Sequence, residues 1–328
     1  MRTSVGLAVL ALAASMAPPL GAQSQQQQQQ QQPPSATFRS GTSLVALNVI
    51  VTDTEQHYAT GLRAEDFEVY EDGVRQPVQF FAAAEVPLDL ILLIDASSSM
   101  TGKLAAVHKA ANGFIETMRD GDRAAVVAFA DGVKVVQPLT GERDLVRQAV
   151  ESTGAKGGTA LHNAIYVALK EFGQPATTGT DVRRQAIAVL SDGEDTSSLL
   201  SFDDVLDLAK RSGVSIYTIG LKDDLRGGSQ QSRRYFSQAD FAMKQLATET
   251  GAKPFFPESV QDLSKVYDAI ATELASQYSI GYVPRNVRED GKYRRVVVRV
   301  TDRPELKPRT RTGYFLGADT LASGTSDQ

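Results

Sequence analysis

Asp95, Ser97 and Ser99 stand at alternate positions in the segment LDLILLIDASSSM, residues 88–100. Spacing of i, i+2 and i+4 lets a tight loop turn three oxygen donors toward one point. Oxygen donors alone suit a hard divalent cation such as Mg²⁺. The apolar run 90–94 that leads into Asp95 reads as a buried strand of a parallel sheet, because it is short and bounded by polar residues. Asp95 then sits at the strand's carboxyl end, where open α/β sheets place their ligands. Helix capping, which favours Ser, Thr and Asp, accounts for one such residue but not for three in alternation.

The elements that would hold this loop follow in order. Leu104, Val107, Ala111, Phe114 and Met118 recur at helical spacing and mark one buried face. Residues 124–129 and 133–137 read as strands around Asp131-Gly132, a hairpin signal. A helix over 143–152 leads to the glycine-rich loop GAKGGTA, a helix over 161–172, and a buried strand over 186–190 that runs into SDGEDT. A helix (203–211), a strand (214–219), a polar stretch (221–238), a helix (241–250), a short edge strand (255–256) and a closing helix (260–277) complete the series. Strands alternating with helices predict an α/β fold with a doubly wound, mostly parallel sheet.

Strand signals also flank this domain, which spans 87–276. On the amino-terminal side they cover 43–53, 67–71 and 74–81, with Asp72-Gly73 as a turn. On the other side they cover 278–283, 293–301 and 309–315, with Asp290-Gly291 between the first two. Neither set alone makes a stable core. Segments 38–86 and 277–316 are therefore expected to pair into one small β unit.

Residues 1–22 combine one basic residue, an apolar core and small residues, the pattern of a secretory signal peptide. Residues 23–37 form a Gln-rich linker with nothing apolar to bury, and 317–328 a polar tail; both are expected to be disordered. Export to the periplasm or beyond is the consequence, and no later segment is long enough to span a membrane. The 328-residue chain lacks cysteine, which excludes disulfides and thiolate metal sites. Its formal charge of −5 becomes −6 without Arg2, and no basic cluster stands out, so nucleic acid is not an expected partner.

The DASSS loop resembles the DxSxS loop that opens the metal-ion-dependent adhesion site of von Willebrand factor type A domains. The resemblance covers about residues 87–276. It extends to Thr159 in GGTAL and Asp192 in SDG, which resemble the lone threonine and the (T/S)DG segment of that site. Ser191 stands where threonine is more usual and keeps the hydroxyl. The flanks EDFEVYEDG and RTGYF resemble a bacterial family of secreted proteins related to these domains. The resemblance implies a metal site of Asp95, Ser97, Ser99, Thr159 and Asp192. It also implies a protein partner whose Asp or Glu completes the metal shell. In such domains the closing helix can shift when the site is filled, and here it would pull on the terminal strands.

The chemistry agrees with recognition. Two carboxylates and three neutral hydroxyls balance one divalent cation, Mg²⁺ foremost and Mn²⁺ next, and leave it a strong Lewis acid. Few direct protein ligands leave water positions that an outside carboxylate can take. The expected function is an exported, metal-dependent adhesion or interaction module and not an enzyme; the alternative is an envelope scaffold whose metal only stabilises the fold. Glu194 and Asp195 are expected to be supporting or solvated. A serine hydrolase built on Ser97, His162 and Asp192 lacks the G-x-S-x-G elbow. A phosphatase using Asp95 would carry a second acid where Ser97 stands, and GAKGGTA lacks the G-K-[ST] of a phosphate loop. Arg226, Arg233 and Arg234 in the polar stretch would favour an acidic ligand if they lie on the metal face.

Overall fold

The structure, a computed structural model, describes residues 44–83, 86–173, 183–192, 194–221 and 238–315. The expected signal peptide, Gln-rich linker and tail, and the three arginines of the polar stretch, lie outside the described residues. The amino-terminal flank supplies β1 (Val45–Thr52), β2 (Phe67–Glu71), β3 (Val74–Gln76) and β4 (Val78–Ala83). The middle runs β5 (Leu88–Asp95), α1 (Leu104–Glu116), β6 (Arg123–Phe129), β7 (Val133–Thr140), α2 (Arg143–Glu151) and α3 (Leu161–Phe172). It continues through β8 (Arg184–Ser191), α4 (Phe202–Ser212), β9 (Ser215–Gly220), α5 (Gln238–Glu249), β10 (Pro254–Phe255) and α6 (Leu263–Ala275). The carboxyl-terminal flank supplies β11 (Tyr278–Tyr282), β12 (Tyr293–Val300), β13 (Lys307–Arg309) and β14 (Gly313–Phe315).

The central sheet has the order β10-β9-β8-β5-β6-β7. Its pairings are parallel except β6 with β7, whose short turn at Asp131-Gly132 forces the antiparallel return. Every residue of β5 is buried, as a strand covered on both faces requires. Leu88, Leu90, Leu92 and Ile94 pack with α1 and α6, while Ile91 and Leu93 pack with α3 and α4. Each such side chain contributes roughly 1.5–3 kcal/mol. After β5 the chain builds outward through β6 and β7 on one side, then returns through β8 and β9 on the other. The boundary between β5 and β8 is thus the topological switch point, where α/β sheets open a ligand crevice.

The flanking strands pair as expected into one β unit, made of two sheets, β13-β1-β11-β4 and β14-β12-β2-β3, each with strands from both flanks. Both contribute to a single apolar cluster that includes Leu47, Val49, Phe67, Val69, Tyr278, Ile280, Val296 and Tyr314. Two expected strands are split to make this possible. Residues 74–81 break at Pro77, which has no N–H to give a ladder; β3 then pairs with β2 and β4 with β11. Residues 309–315 break at 310–312, so β13 pairs with β1 and β14 with β12. Alternation along β12 remains clean, with Arg294, Val296, Val298 and Val300 buried and Arg295, Val297 and Arg299 exposed.

Candidate metal centre

Asp95, the last residue of β5, is fully buried, and its two carboxylate oxygens have separate donors. Oδ1 accepts the Ser97 N–H at 2.9 Å, and Oδ2 accepts the Ser191 hydroxyl at 2.6 Å. Ser191 ends β8, the neighbouring strand, so parallel register alone sets this contact. A relay of oxygens continues outward. Ser97 Oγ lies 2.9 Å from Ser99 Oγ, and the Ser99 hydroxyl donates to Asp192 Oδ1 at 2.6 Å. Asp192 Oδ2 accepts the Lys103 ammonium. Asp95, Ser97, Ser99 and Asp192 are thus brought together, with Ser99 exposed at the mouth.

Thr159 sits on the same face, buried at 5% exposure, but its hydroxyl is not hydrogen-bonded to the other four among the described residues. Backbone contacts place it. The Ser98 N–H donates to Gly157 O (3.0 Å) and the Lys156 N–H to Ala96 O (2.7 Å), which tie its loop to the serine loop. Thr196 and Ser197 N–H groups donate to Thr159 O at 2.9 and 3.1 Å, which ties it to the segment after Asp192. Gly157 adopts φ +79°, and a Cβ there would lie 2.2 Å from Asp131 Oδ2. The same Asp131 accepts the Gly158 N–H at 2.6 Å. Glycine is therefore required both by the left-handed backbone and by the close carboxylate.

Asp195 supports this face. Its oxygens accept the N–H groups of His162 (2.8 Å) and Ser198 (3.0 Å). Burial works to raise its pKa, but these hydrogen bonds and the adjacent imidazole prevail and lower it. Glu194 is exposed. His162 Nδ1 lies 3.2 Å from Leu200 O and 3.7 Å from Asp195 Oδ2, so its ring is directed to those groups and not to Ser97. The hydrolase constellation is not assembled.

Burial pushes the Asp95 carboxyl above its ordinary range, and the nearby Asp192 charge adds to the rise; hydrogen bonds from Ser191 and Ser97 only partly oppose it. Two buried carboxylates drawn to one loop, Asp95 by the Ser97 N–H and Asp192 by the Ser99 hydroxyl, are what a divalent cation would relieve. Among the described residues no group of three or more His, Cys, Asp or Glu forms an alternative site. The donor set is carboxylate and hydroxyl oxygen throughout, which fits a hard ion. Spacing does not single out Lys103 or Asp131; Lys103 reaches the site because it starts α1 immediately after the serine loop.

A family model of the von Willebrand factor type A domain matches residues 89–269. An uncharacterized protein of Synechocystis sp. is 32% identical over 145 residues, 42% of this chain and 33% of that protein. The chain spans between 33% and 66% of the length of the curated relatives it matches. Among solved structures, a von Willebrand factor type A protein from Catenulispora acidiphila superposes with TM-score 0.49 at 16% identity, covering 86% of this chain and 76% of that one. Proximal thread matrix protein 1 from the mussel byssus, with zinc in its MIDAS motif, superposes with TM-score 0.48 at 18% identity, covering 62% and 49%.

Proposed function

The chain belongs to the von Willebrand factor type A domain family, and from that premise we propose an exported interaction module that captures an acidic side chain of a partner protein through a bound divalent cation. Asp95, Ser97, Ser99, Thr159 and Asp192 would hold the cation, Mg²⁺ foremost. The observation that carries this reading is the hydrogen-bonded cluster of Asp95, Ser97, Ser99 and Asp192, in which the Ser97 N–H holds Asp95 and the two serine hydroxyls lead to Asp192, at the switch point of the sheet. When bound, the ion would supply a Lewis-acidic centre for a carboxylate oxygen. The chain's own groups orient that centre: Ser191 fixes Asp95, and the bonds from Thr196 and Ser197 fix the Thr159 loop. The exposed Ser99 leaves the centre open to a partner, and no proton need move.

Export rests on the sequence of residues 1–22. No helix among the described residues is long and apolar enough to cross a membrane. The test is Mg²⁺ titration by calorimetry on residues 23–328, wild type beside Asp95→Ala, with circular dichroism on both. Saturable binding by the wild type, lost in a folded variant, is expected. A folded wild type that binds neither Mg²⁺ nor Mn²⁺ overturns the reading. A variant that binds no metal and also unfolds would shift the assignment to a scaffold in which the cation only stabilises the fold.

A further inference from the structure

Lys103 holds the second oxygen of Asp192. Its side chain is 11% exposed and that of Asp192 1%, so the pair is buried. The Lys103 backbone is fixed as well. Its N–H donates to Met100 O at 2.8 Å, and its carbonyl accepts the N–H groups of Ala106 and Val107 at 3.0 and 3.1 Å. The ammonium is therefore delivered to Asp192 from a rigid point at the start of α1. With Ser99 on the other oxygen, Asp192 is engaged on both sides by donors of this chain. A divalent ion attracted by Asp95 and Asp192 meets a cation already on one of its two carboxylates.

We infer that Lys103 is a built-in counter-cation of the metal centre, which stabilises Asp192 in the metal-free protein and weakens the intrinsic hold on the divalent ion. This inference rests on the metal-binding reading above. Its consequence is a charge count. Two carboxylates and one ammonium leave the empty centre at −1, and the loaded centre at +1. A fully compensated centre then needs one further negative charge from outside, which an Asp or Glu side chain of a partner supplies. Metal retention and partner capture become coupled: each ligand strengthens the other by the same factor. Without the ammonium, the loaded centre would already be neutral, and the preference for an anionic ligand would fall.

The experiment is Mg²⁺ calorimetry on the wild type, Lys103→Met and Lys103→Arg, with and without acetate as a carboxylate probe, beside melting curves of each protein. Removing a full positive charge next to the ion raises Mg²⁺ affinity by about tenfold or more, whereas Lys103→Arg stays near the wild type. Acetate tightens Mg²⁺ binding to the wild type more than to Lys103→Met. Metal-free Lys103→Met melts below the wild type, because Asp192 is left buried and unpaired, and Mg²⁺ restores it. A purely structural lysine would lower the melting temperature and leave metal affinity unmoved. Equal or weaker Mg²⁺ binding by a folded Lys103→Met, with the wild type binding, overturns this inference alone. Failure of both proteins to bind overturns the metal reading and this inference with it. If Lys103→Met does not fold, Lys103→Gln carries the same comparison.

Discussion

Removing Arg309 should expose how firmly the closing helix is attached to the terminal strands. Glu273, in the last turn of α6, has a side chain only 1% exposed. Arg309 of β13 reaches it with Nη2 2.6 Å from Oε1, as a charge pair rather than an aligned hydrogen bond. The Tyr58 hydroxyl donates to Oε2 at 3.3 Å, and the other Arg309 nitrogen donates to Gly251 O. In Arg309→Ala the carboxylate stays buried without its counter-charge. Removing one partner of a buried pair costs about 3–5 kcal/mol. Arg309 itself is 30% exposed, so water screens the pair, and about 2–3 kcal/mol is the better figure. At about 2–4 °C per kcal/mol for a domain of roughly this size, the melting temperature should fall by about 5–10 °C.

The assay is thermal and urea unfolding followed by circular dichroism, with Glu273→Gln/Arg309→Ala as the control. The double variant should regain about half of the loss, since a neutral amide needs less compensation than a carboxylate. The urea slope should hold constant, because the surface exposed on unfolding is unchanged. A single variant within about 1 °C of the wild type would refute the reasoning, since screening would then leave the pair worth almost nothing. A double variant no better than the single one would assign the loss to packing instead of charge.

Two further outcomes follow from particular contacts. Gly157→Ala combines a left-handed backbone, costing about 1–2 kcal/mol in a non-glycine residue, with a Cβ that would meet the Asp131 carboxylate. It should lower stability and weaken Mg²⁺ binding in calorimetry, and unchanged affinity in a folded variant would detach this loop from the centre. Burial, with the Glu273 charge second, pushes the Tyr58 phenol up to about 12. Its neutral form is favoured in the folded state, so its contribution is complete below about pH 10 and is lost as pH rises toward about 12. Tyr58→Phe should therefore lose less urea resistance than the wild type between pH 9 and pH 11.5. Equal losses would mean that Tyr58 does not titrate in that window.

The parts of the fold legible in the sequence are those where one local signal had a single reading. The run ending at Asp95 is apolar at every position needed for a strand buried on both faces, and β5 is that strand. Hairpin signals at Asp72-Gly73 and Asp131-Gly132 likewise correspond to antiparallel pairs. What local signals do not carry is which of two sheets a strand joins. Pro77 marks a break in the ladder but does not say that β3 and β4 go to different sheets, and at 310–312 long-range pairing likewise assigns β13 and β14. Lys103 and Asp131 escaped for a similar reason. In the sequence Lys103 is an unremarkable charge and Asp131 only half of a turn signal, and each acts on the site through a partner more than 25 residues away.

The closing helix and the terminal strands have almost no slack between them. Only Ser276 and Gln277 separate α6 from β11. Gln277 is buried, with Oε1 accepting from Arg184 at 3.2 Å and its amide donating to Tyr217 at 3.2 Å. Arg184 in turn donates to Leu274 O at the end of the helix. Arg184 opens β8 and Ser191 closes it, so one strand carries the helix fastening at its first residue and a hydrogen-bond donor to Asp95 at its last. A sheet strand hydrogen-bonded on both edges is stiff along its axis. Movement of α6 would therefore strain the Arg184–Leu274 contact to β8 and pull β11, and through Glu273–Arg309 also β13, along with it. Helix displacement cannot be absorbed in a linker here; it is either resisted at the β8 contact or passed on to the flanking sheets.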